Sequence, residues 1–398
     1  MPSACPPPPD LDVWILAGQS NMHGCGLLAE SLRPHPAVWS FAPDDTWGPA
    51  LEPLHRPWES SAPVHQALAR RWLPPADREL PREELASRDR TNLRGAGPGP
   101  AFAQTLHAAT GRPVGLIPCA LGGTTLEEWS PSRRSEGGHS LYGAMLERVA
   151  RAGRPVRGLL WYQGESDAPY ELSLDYGERL AAWISAVRRD LSQPDLPVGM
   201  VQIGRFVGLE PPAVPDDDTA RRAALGWNNV RHAQAALPWQ MPGVFTVTAL
   251  DLGMEDFVHL NTPSLVRVGR RLAHAFLARE TGAVPVPSLR AVRLAAIPGY
   301  PQLDAVDLEF SGVTGGWIPR DHLAGFSLHR RDGTPHPSLA IVNVAPLAPD
   351  SPTLRVRLTG RVDNDCALGY GWGRNPFVNA VDSADQALPS FAPVALLR

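Results

Sequence analysis

The chain contains no lysine, so all 37 of its basic residues are arginine. Against 41 Asp and Glu this leaves a formal net charge of −4 at pH 7. That balance provides neither the basic face of a nucleic-acid binder nor the polybasic patch of a membrane-surface protein. Combined with abundant Ala, Pro and Gly, the missing lysine points to coding bias, not to function. Cysteine is scarce as well: Cys5, Cys25, Cys119 and Cys366 stand far apart. No disulfide framework and no metal-ligand spacing follows from them, and Cys119 reads as a small buried hydrophobe. No run reaches the roughly eighteen apolar residues of a membrane span. The opening Met1-Pro2-Ser3-Ala4-Cys5, followed by four prolines, lacks the basic and apolar regions of a secretory leader. The expectation is a cytoplasmic protein, or a secreted or periplasmic one whose leader has been removed.

What is present is an ordinary globular composition, 43% apolar and 20% charged over 398 residues. The stretch that organises the chain is Val13-Trp14-Ile15-Leu16-Ala17-Gly18-Gln19-Ser20-Asn21-Met22-His23-Gly24. Five consecutive apolar residues predict a strand of a parallel sheet covered on both faces. Gly18 permits a sharp turn, and Ser20 falls where strand gives way to helix. Open α/β sheets carry their chemistry at the carboxyl ends of strands, and a helix N-terminus favours negative charge. Ser20 is therefore a candidate nucleophile, with a plain helix cap as the alternative.

Residues 31–96 lose regular periodicity and are rich in Pro, Arg and Trp (Trp39, Trp47, Trp58, Trp72). Such an insertion reads as a partly ordered flap beside a site, since disordered segments are poor in aromatics. Regular alternation resumes at residue 97: a helix over 100–110, a strand over 113–119, a helix over 141–152 and a strand over 158–163. A long helix over 170–191, a strand over 198–203, a helix over 220–236, a strand over 244–249 and a last helix over 262–281 follow. Asp216, Asp217 and Asp218 read as a solvated loop and helix cap, not as a metal site. Five strands alternating with five helices predict a parallel five-stranded sheet flanked by helices. From residue 283 onward, short alternating runs such as Ala305-Val306-Asp307-Leu308-Glu309-Phe310 predict a β-sandwich-like second domain over 283–398, after a first over 1–282.

Three strand exits now stand together: Ser20, the paired glycines Gly122-Gly123, which let backbone approach a ligand, and Gln163-Gly164-Glu165. Asp256 and His259, just before the last helix, are three apart, so the carboxylate can orient the imidazole and the imidazole can take a serine proton. Together these pieces favour a serine hydrolase over a set of caps and turns.

The blocks Gly18-Gln19-Ser20-Asn21-Met22, Ala120-Leu121-Gly122-Gly123-Thr124, Trp161-Tyr162-Gln163-Gly164-Glu165-Ser166-Asp167 and Asp256-x-x-His259-Leu260, in this order, resemble those of SGNH hydrolases. The similarity is to the branch of carbohydrate esterase family six and the sialate O-acetylesterases, over about residues 12–280. Gly97-Pro98-Gly99-Pro100-Ala101-Phe102-Ala103 and, in the tail, Gly369-Tyr370-Gly371-Trp372-Gly373-Arg374-Asn375-Pro376 are similar to stretches of that branch. The resemblance implies a three-layer, flavodoxin-like α/β fold, Ser20 as nucleophile, His259 as base and Asp256 as the residue orienting it. It implies an oxyanion hole from the N–H groups of Ser20 and of the Gly122-Gly123 turn. The side-chain amide would come from Gln163, where many members carry asparagine. Glu165 is either a brace behind the oxyanion loops or a rival triad acid. Gln19, Asn21 and Trp129 are expected substrate contacts. The implied reaction is removal of O-acetyl groups from a sugar or polysaccharide, of the acetylxylan or sialic acid type, without metal or organic cofactor and without nucleic-acid or membrane partners. A general short-chain esterase or lipase of the same fold, and a non-catalytic carbohydrate-binding protein, are the alternatives.

Overall fold

The computed structural model describes residues 7–208 and 218–397. Asp216 and Asp217, expected in a solvated loop, lie outside the described residues. Strand β1 (Asp12–Gly18) buries every side chain from Val13 to Ala17, as an apolar run must when both faces are covered. It leads into the short helix α1 (Ser20–His23). The other parallel strands are β2 (Val38–Phe41), β4 (Val114–Pro118), β5 (Val156–Tyr162), β6 (Val198–Gln202) and β7 (Val244–Thr248), while β3 (Trp47–Pro49) closes one edge antiparallel to β2. The sheet order is β3-β2-β4-β1-β5-β6-β7. β1 sits at its centre, with Ile15 opposite Ile117 on one side and Leu159 on the other.

The sheet thus has seven strands, not the expected five. Both extra strands come from the 31–96 insertion, which is woven into the domain instead of lying over it as a flap. Four and three residues are too short to show a period, and the pair is fixed by tertiary contacts. Arg148, fully buried, donates to the carbonyls of Phe41 at 2.8 Å and Pro43 at 3.3 Å, and pairs with Asp45 at 2.7 Å.

Helices α2 (Gly99–Thr110), α3 (Leu141–Ala152), α4 (Tyr176–Asp190), α5 (Asp218–Gln240) and α6 (Thr262–Glu280) cover the sheet. The predicted 170–191 helix is broken, with a first turn at Tyr170–Ser173 before α4. Caps define the ends: Ser140 accepts from the Gly143 N–H at 3.0 Å to start α3, and Gly153 in the left-handed region ends it. Asn261 caps α6 by accepting from the Ser264 N–H at 3.0 Å, which holds the chain just beyond His259. α6 lies tight against α2 at Gly269, where a β-carbon would stand 2.3 Å from the Pro98 carbonyl oxygen.

Beyond α6 the chain is antiparallel β. Strands β8 (Ser288–Ala296), β9 (Asp304–Ser311), β11 (Ile341–Pro346) and β12 (Leu354–Leu358) form a sheet of order β8-β9-β12-β11, and β10 (Phe326–Arg330), β13 (Cys366–Tyr370) and β14 (Phe391–Ala395) form another of order β10-β13-β14. Their buried faces make a second apolar core that includes Val306, Leu308, Val356 and Leu368, joined from the first core's side by Leu250. Arg271 of α6 crosses to this region, donating to the Asp385 carbonyl at 2.6 Å while bonding Asp251 at 2.7 and 2.8 Å. No helix among the described residues is long and apolar enough to cross a membrane.

Candidate active site

The exit of β1 is shaped by a glycine that nothing else can replace. Gly18 has φ 128°, and a β-carbon there would lie 2.1 Å from the Tyr162 carbonyl oxygen at the end of β5. The next residue, Gln19, donates its N–H to that carbonyl at 2.8 Å. Gln19, not Ser20, occupies the cap position of α1, and no side-chain capping bond forms there. The helix-cap alternative for Ser20 is therefore not what the structure shows.

The side chains on either side of Ser20 are structural ties, which corrects their expected role as substrate contacts. Gln19 Oε1 accepts from the Gly164 and Ser166 N–H groups at 3.3 and 3.2 Å. Asn21 Nδ2 donates to Glu165 Oε1 at 2.9 Å and to the Val258 carbonyl at 3.3 Å, while its Oδ1 accepts from the Leu260 N–H at 3.0 Å. Both are buried. Asn21 thus grips the two residues that flank His259, and so fixes the histidine loop beside the Ser20 turn.

Within that loop the Glu255 N–H donates to the His259 carbonyl at 2.7 Å, closing a tight turn. Asp256 Oδ2 lies 2.8 Å from His259 Nδ1, and Asp256 Oδ1 accepts from the Val258 and His259 N–H groups at 2.9 and 2.8 Å. Partial burial raises the Asp256 pKa, but the Val258 N–H, the imidazole and the His259 N–H outweigh it and hold the carboxyl below its usual range. Glu165 is different. Burial pushes its pKa up against the opposing Asn21 amide, its Oε1 takes the Asn21 bond, and its Oε2 is buried without a partner. It makes no hydrogen bond to His259 among the described residues.

Gly122 flanks Ser20: a β-carbon on it would stand 3.5 Å from Ser20 Cβ. Its N–H donates to His23 Nδ1 at a long 3.3 Å. His23 is kept neutral by burial, its pKa brought down to about 4, so it is an acceptor at ordinary pH. Gly123 has φ 67°, and a β-carbon there would lie 2.2 Å from the ring of Trp72. Trp72 is 69% exposed, so the insertion sets an indole at the rim beside this turn.

Two expected site residues do not serve as anticipated. Gln163 is fully buried, and its Nε2 donates to Asp167 Oδ2 at 2.6 Å and to the Thr124 carbonyl at 3.2 Å. Both amide hydrogens are engaged, so none is left for an oxyanion. Its Oε1 accepts from the Tyr176 hydroxyl at 3.1 Å. Trp129 is also fully buried, packed edge-on to Trp161 with ring centroids 5.4 Å apart, and its indole N–H donates to Thr124 Oγ1 at 3.1 Å. It belongs to the core.

The sequence reading set the insertion beside a site but named none of the insertion's residues there. Arg94 donates to the Cys25 carbonyl at 3.2 Å and pairs with Glu255 at 3.1 Å. Asp89, Asn92 and Arg94 form one wall, and Asp256 and His259 another, of a cavity of about 350 Å³. The signal available was the density of Trp and Arg in residues 31–96. Among the described residues no group of three or more His, Cys, Asp or Glu side chains is placed to hold a metal ion.

A serine at a strand exit, an aspartate–histidine pair and a glycine turn against the serine thus lie together at one edge of a mostly parallel sheet flanked by helices. Residues 10–278 match the family model described as carbohydrate esterase, sialic acid-specific acetylesterase, and the chain belongs to that family. It is a carboxylic ester hydrolase that removes O-acetyl groups from carbohydrate. A probable carbohydrate esterase of Arabidopsis thaliana is 29% identical over 294 residues, 68% of this chain and 92% of that protein. The X-ray structure of an Arabidopsis thaliana protein superposes with TM-score 0.51 at 28% identity, over 68% of this chain and 99% of the other. A carbohydrate acetylesterase from Xanthomonas citri, at 20% identity and TM-score 0.62, covers 96% of this chain and 80% of its own, so the likeness in fold extends into the C-terminal β region.

Proposed function

We propose that the deacetylation runs through an acyl-enzyme on Ser20, with His259 as general base and Asp256 as the residue that orients it. The observation that carries this is the grip of Asn21 on Val258 and Leu260, which brings the Asp256–His259 pair to the turn bearing Ser20. With Nδ1 donating to Asp256, the imidazole presents an unprotonated Nε2 as a base. His259 takes the Ser20 proton as Oγ adds to the acetyl carbonyl. The resulting oxyanion is met by the N–H of Ser20 and those of the Gly122-Gly123 turn, where the long bond from Gly122 to His23 is weak enough to be exchanged. As the tetrahedral species collapses, the bond to the sugar oxygen breaks and His259 returns the proton to that oxygen. Water, deprotonated by His259, then attacks the acetyl-serine and releases acetate.

Gln163 has no place in the oxyanion hole on this reading. It braces the β5 exit against Asp167 and Thr124. The test is acetate release from p-nitrophenyl acetate and from a panel of acetylated glycans by the native protein and by Ser20→Ala. The variant should lose activity by at least about 10³ with its circular dichroism unchanged. Turnover retained in Ser20→Ala would remove the nucleophile, and a native protein that binds acetylated glycans without releasing acetate would favour the binding-protein alternative.

A further inference from the structure

We infer that the cavity between His259 and the insertion receives the leaving sugar, and that its charge selects neutral O-acetylated sugars over those carrying a carboxylate. The inference rests on the proposed roles of Ser20 and His259. The proton that frees the sugar oxygen comes from His259, so the sugar must leave on the His259 side of the ester. The structure has a cavity there of about 350 Å³, with Asp256 and His259 on one wall and Asp89, Asn92 and Arg94 on the other. That is the size of a small-molecule site, and convergent polar side chains suit a polyhydroxyl ligand.

The charges in this cavity do not suit an anion. Arg94 is the one guanidinium on its wall among the described residues. That cation is already matched by Glu255 at 3.1 Å and also donates to the Cys25 carbonyl at 3.2 Å. Asp256 is hydrogen-bonded to His259, which as a neutral base does not cancel its charge. Asp89 forms no ion pair among the described residues, and its Oδ2 is buried without a hydrogen-bond partner. Burial pushes its pKa up to about 6, so at an assay pH of 8 it carries its charge. His23 and His55, which also border the cavity, are held neutral by burial. A sugar carboxylate would therefore face the charge of Asp89 with no free cation among the described residues to offset it, and like charges at an interface discriminate strongly. A sugar hydroxyl can donate to a carboxylate and meets no such penalty.

The experiment compares kcat/KM at pH 8 for an O-acetylated xylobiose and an O-acetylated N-acetylneuraminic acid, in the native protein, Asp89→Asn and Glu255→Gln. The native protein should favour the neutral sugar at least tenfold, and the preference should narrow as salt is raised. Asp89→Asn should narrow it about fivefold by removing the like charge. Glu255→Gln should narrow it by freeing Arg94, and this second variant tests the same charge balance even if the first does not fold. A native preference for the acidic sugar, or a ratio that neither variant moves, overturns the inference. Cleavage of p-nitrophenyl acetate with no release from either sugar would instead overturn the reading of the site as a carbohydrate deacetylase, and this inference would fall with it.

Discussion

Asp256→Asn tests the site most sharply, because the surrounding backbone dictates how the asparagine must sit. Asp256 Oδ1 accepts from two N–H groups, those of Val258 and His259, whereas Oδ2 faces His259 Nδ1 alone. An asparagine carbonyl in the Oδ1 position keeps two hydrogen bonds. The flipped amide keeps one and sets its NH₂ against two donors. At about 1 kcal/mol for each bond kept or lost, the unflipped orientation wins by at least about 1 kcal/mol. It then presents NH₂ to His259 Nδ1, which must accept. The ring proton is driven to Nε2, which on the proposed mechanism leaves no base to receive the Ser20 hydroxyl proton. Wrong-tautomer substitutions of this kind cost about 10⁴ in kcat in serine hydrolases of the triad type. The flipped minority, with no negative charge to stabilise the imidazolium, recovers little. The assay is steady-state hydrolysis of p-nitrophenyl acetate, with circular dichroism to verify the fold. A kcat within tenfold of the native value would refute the pairing of Asp256 with His259.

Glu165→Gln should lower kcat less than tenfold, since a glutamine carbonyl can still accept from Asn21; a crippled enzyme would make Glu165 the triad acid. Its stability effect has a definite sign: burial raises the folded pKa of Glu165, so its contribution to stability is lost as pH rises through that value, and Glu165→Gln should raise Tm at pH 8 relative to pH 4. Asp256, held low, works the other way: its contribution is present above about pH 3.9, the unfolded carboxylate value, and fades only as pH falls through the lower folded one, which acid titration of Tm in Asp256→Asn and the native protein would show. Gln163→Ala should lower Tm sharply, because it strips a hydrogen-bond donor from the buried Asp167, at a cost of about 1–3 kcal/mol; a loss confined to kcat with Tm unchanged would return Gln163 to the oxyanion hole. Arg271→Met leaves Asp251 and the Asp385 carbonyl without their main donor and should cost about 3–5 kcal/mol in denaturant unfolding, with Asp251→Leu in the same chain recovering part of it.

The parts of this fold that were legible in the sequence are those with enough length to show a period. β1 declared itself by an unbroken apolar run, and the helix of residues 141–152 stood out in the regular alternation of elements after residue 97. β2 and β3 could not, since three or four residues carry no period and their place in the sheet depends on Arg148, about a hundred residues away. The site divides similarly. Asp256 and His259 are three apart, so their meeting is local, and the spacing alone suggests it. Gln163 was read through the family resemblance, as the side-chain amide of an oxyanion hole. What it does is settled by where its hydrogens go, to Asp167 four residues on and to the Thr124 carbonyl from another strand exit. Trp129 stood beside the glycine turn in sequence, yet its ring belongs with Trp161 and Trp183, contributed by β5 and α4. A side chain's type and neighbourhood in sequence narrow its role, but a buried polar or aromatic group takes that role from partners that only the fold supplies.

The C-terminal β region shares in this dependence on the fold, because it braces the histidine loop from outside. Asn21 holds Val258 and Leu260 from the Ser20 side. From the opposite side, the Val207 N–H donates to the Phe257 carbonyl at 2.7 Å, and the Phe206 ring lies 5.5 Å from that of Phe257. Phe206 is in turn held by the second region: its N–H donates to the Arg374 carbonyl at 2.9 Å, and the Arg374 guanidinium stacks 4.4 Å from its ring. Arg231, buried in α5, donates to the Arg374 carbonyl at 3.1 Å and to the Gly204 carbonyl at 2.6 Å, joining the same two segments from beneath. His259 therefore stands on a loop clamped between the turn bearing Ser20 and a segment of the C-terminal β region more than a hundred residues later. A base must be held within a few tenths of an ångström to work, and on the proposed mechanism that restraint on His259 comes from the α/β region and the C-terminal β region at once.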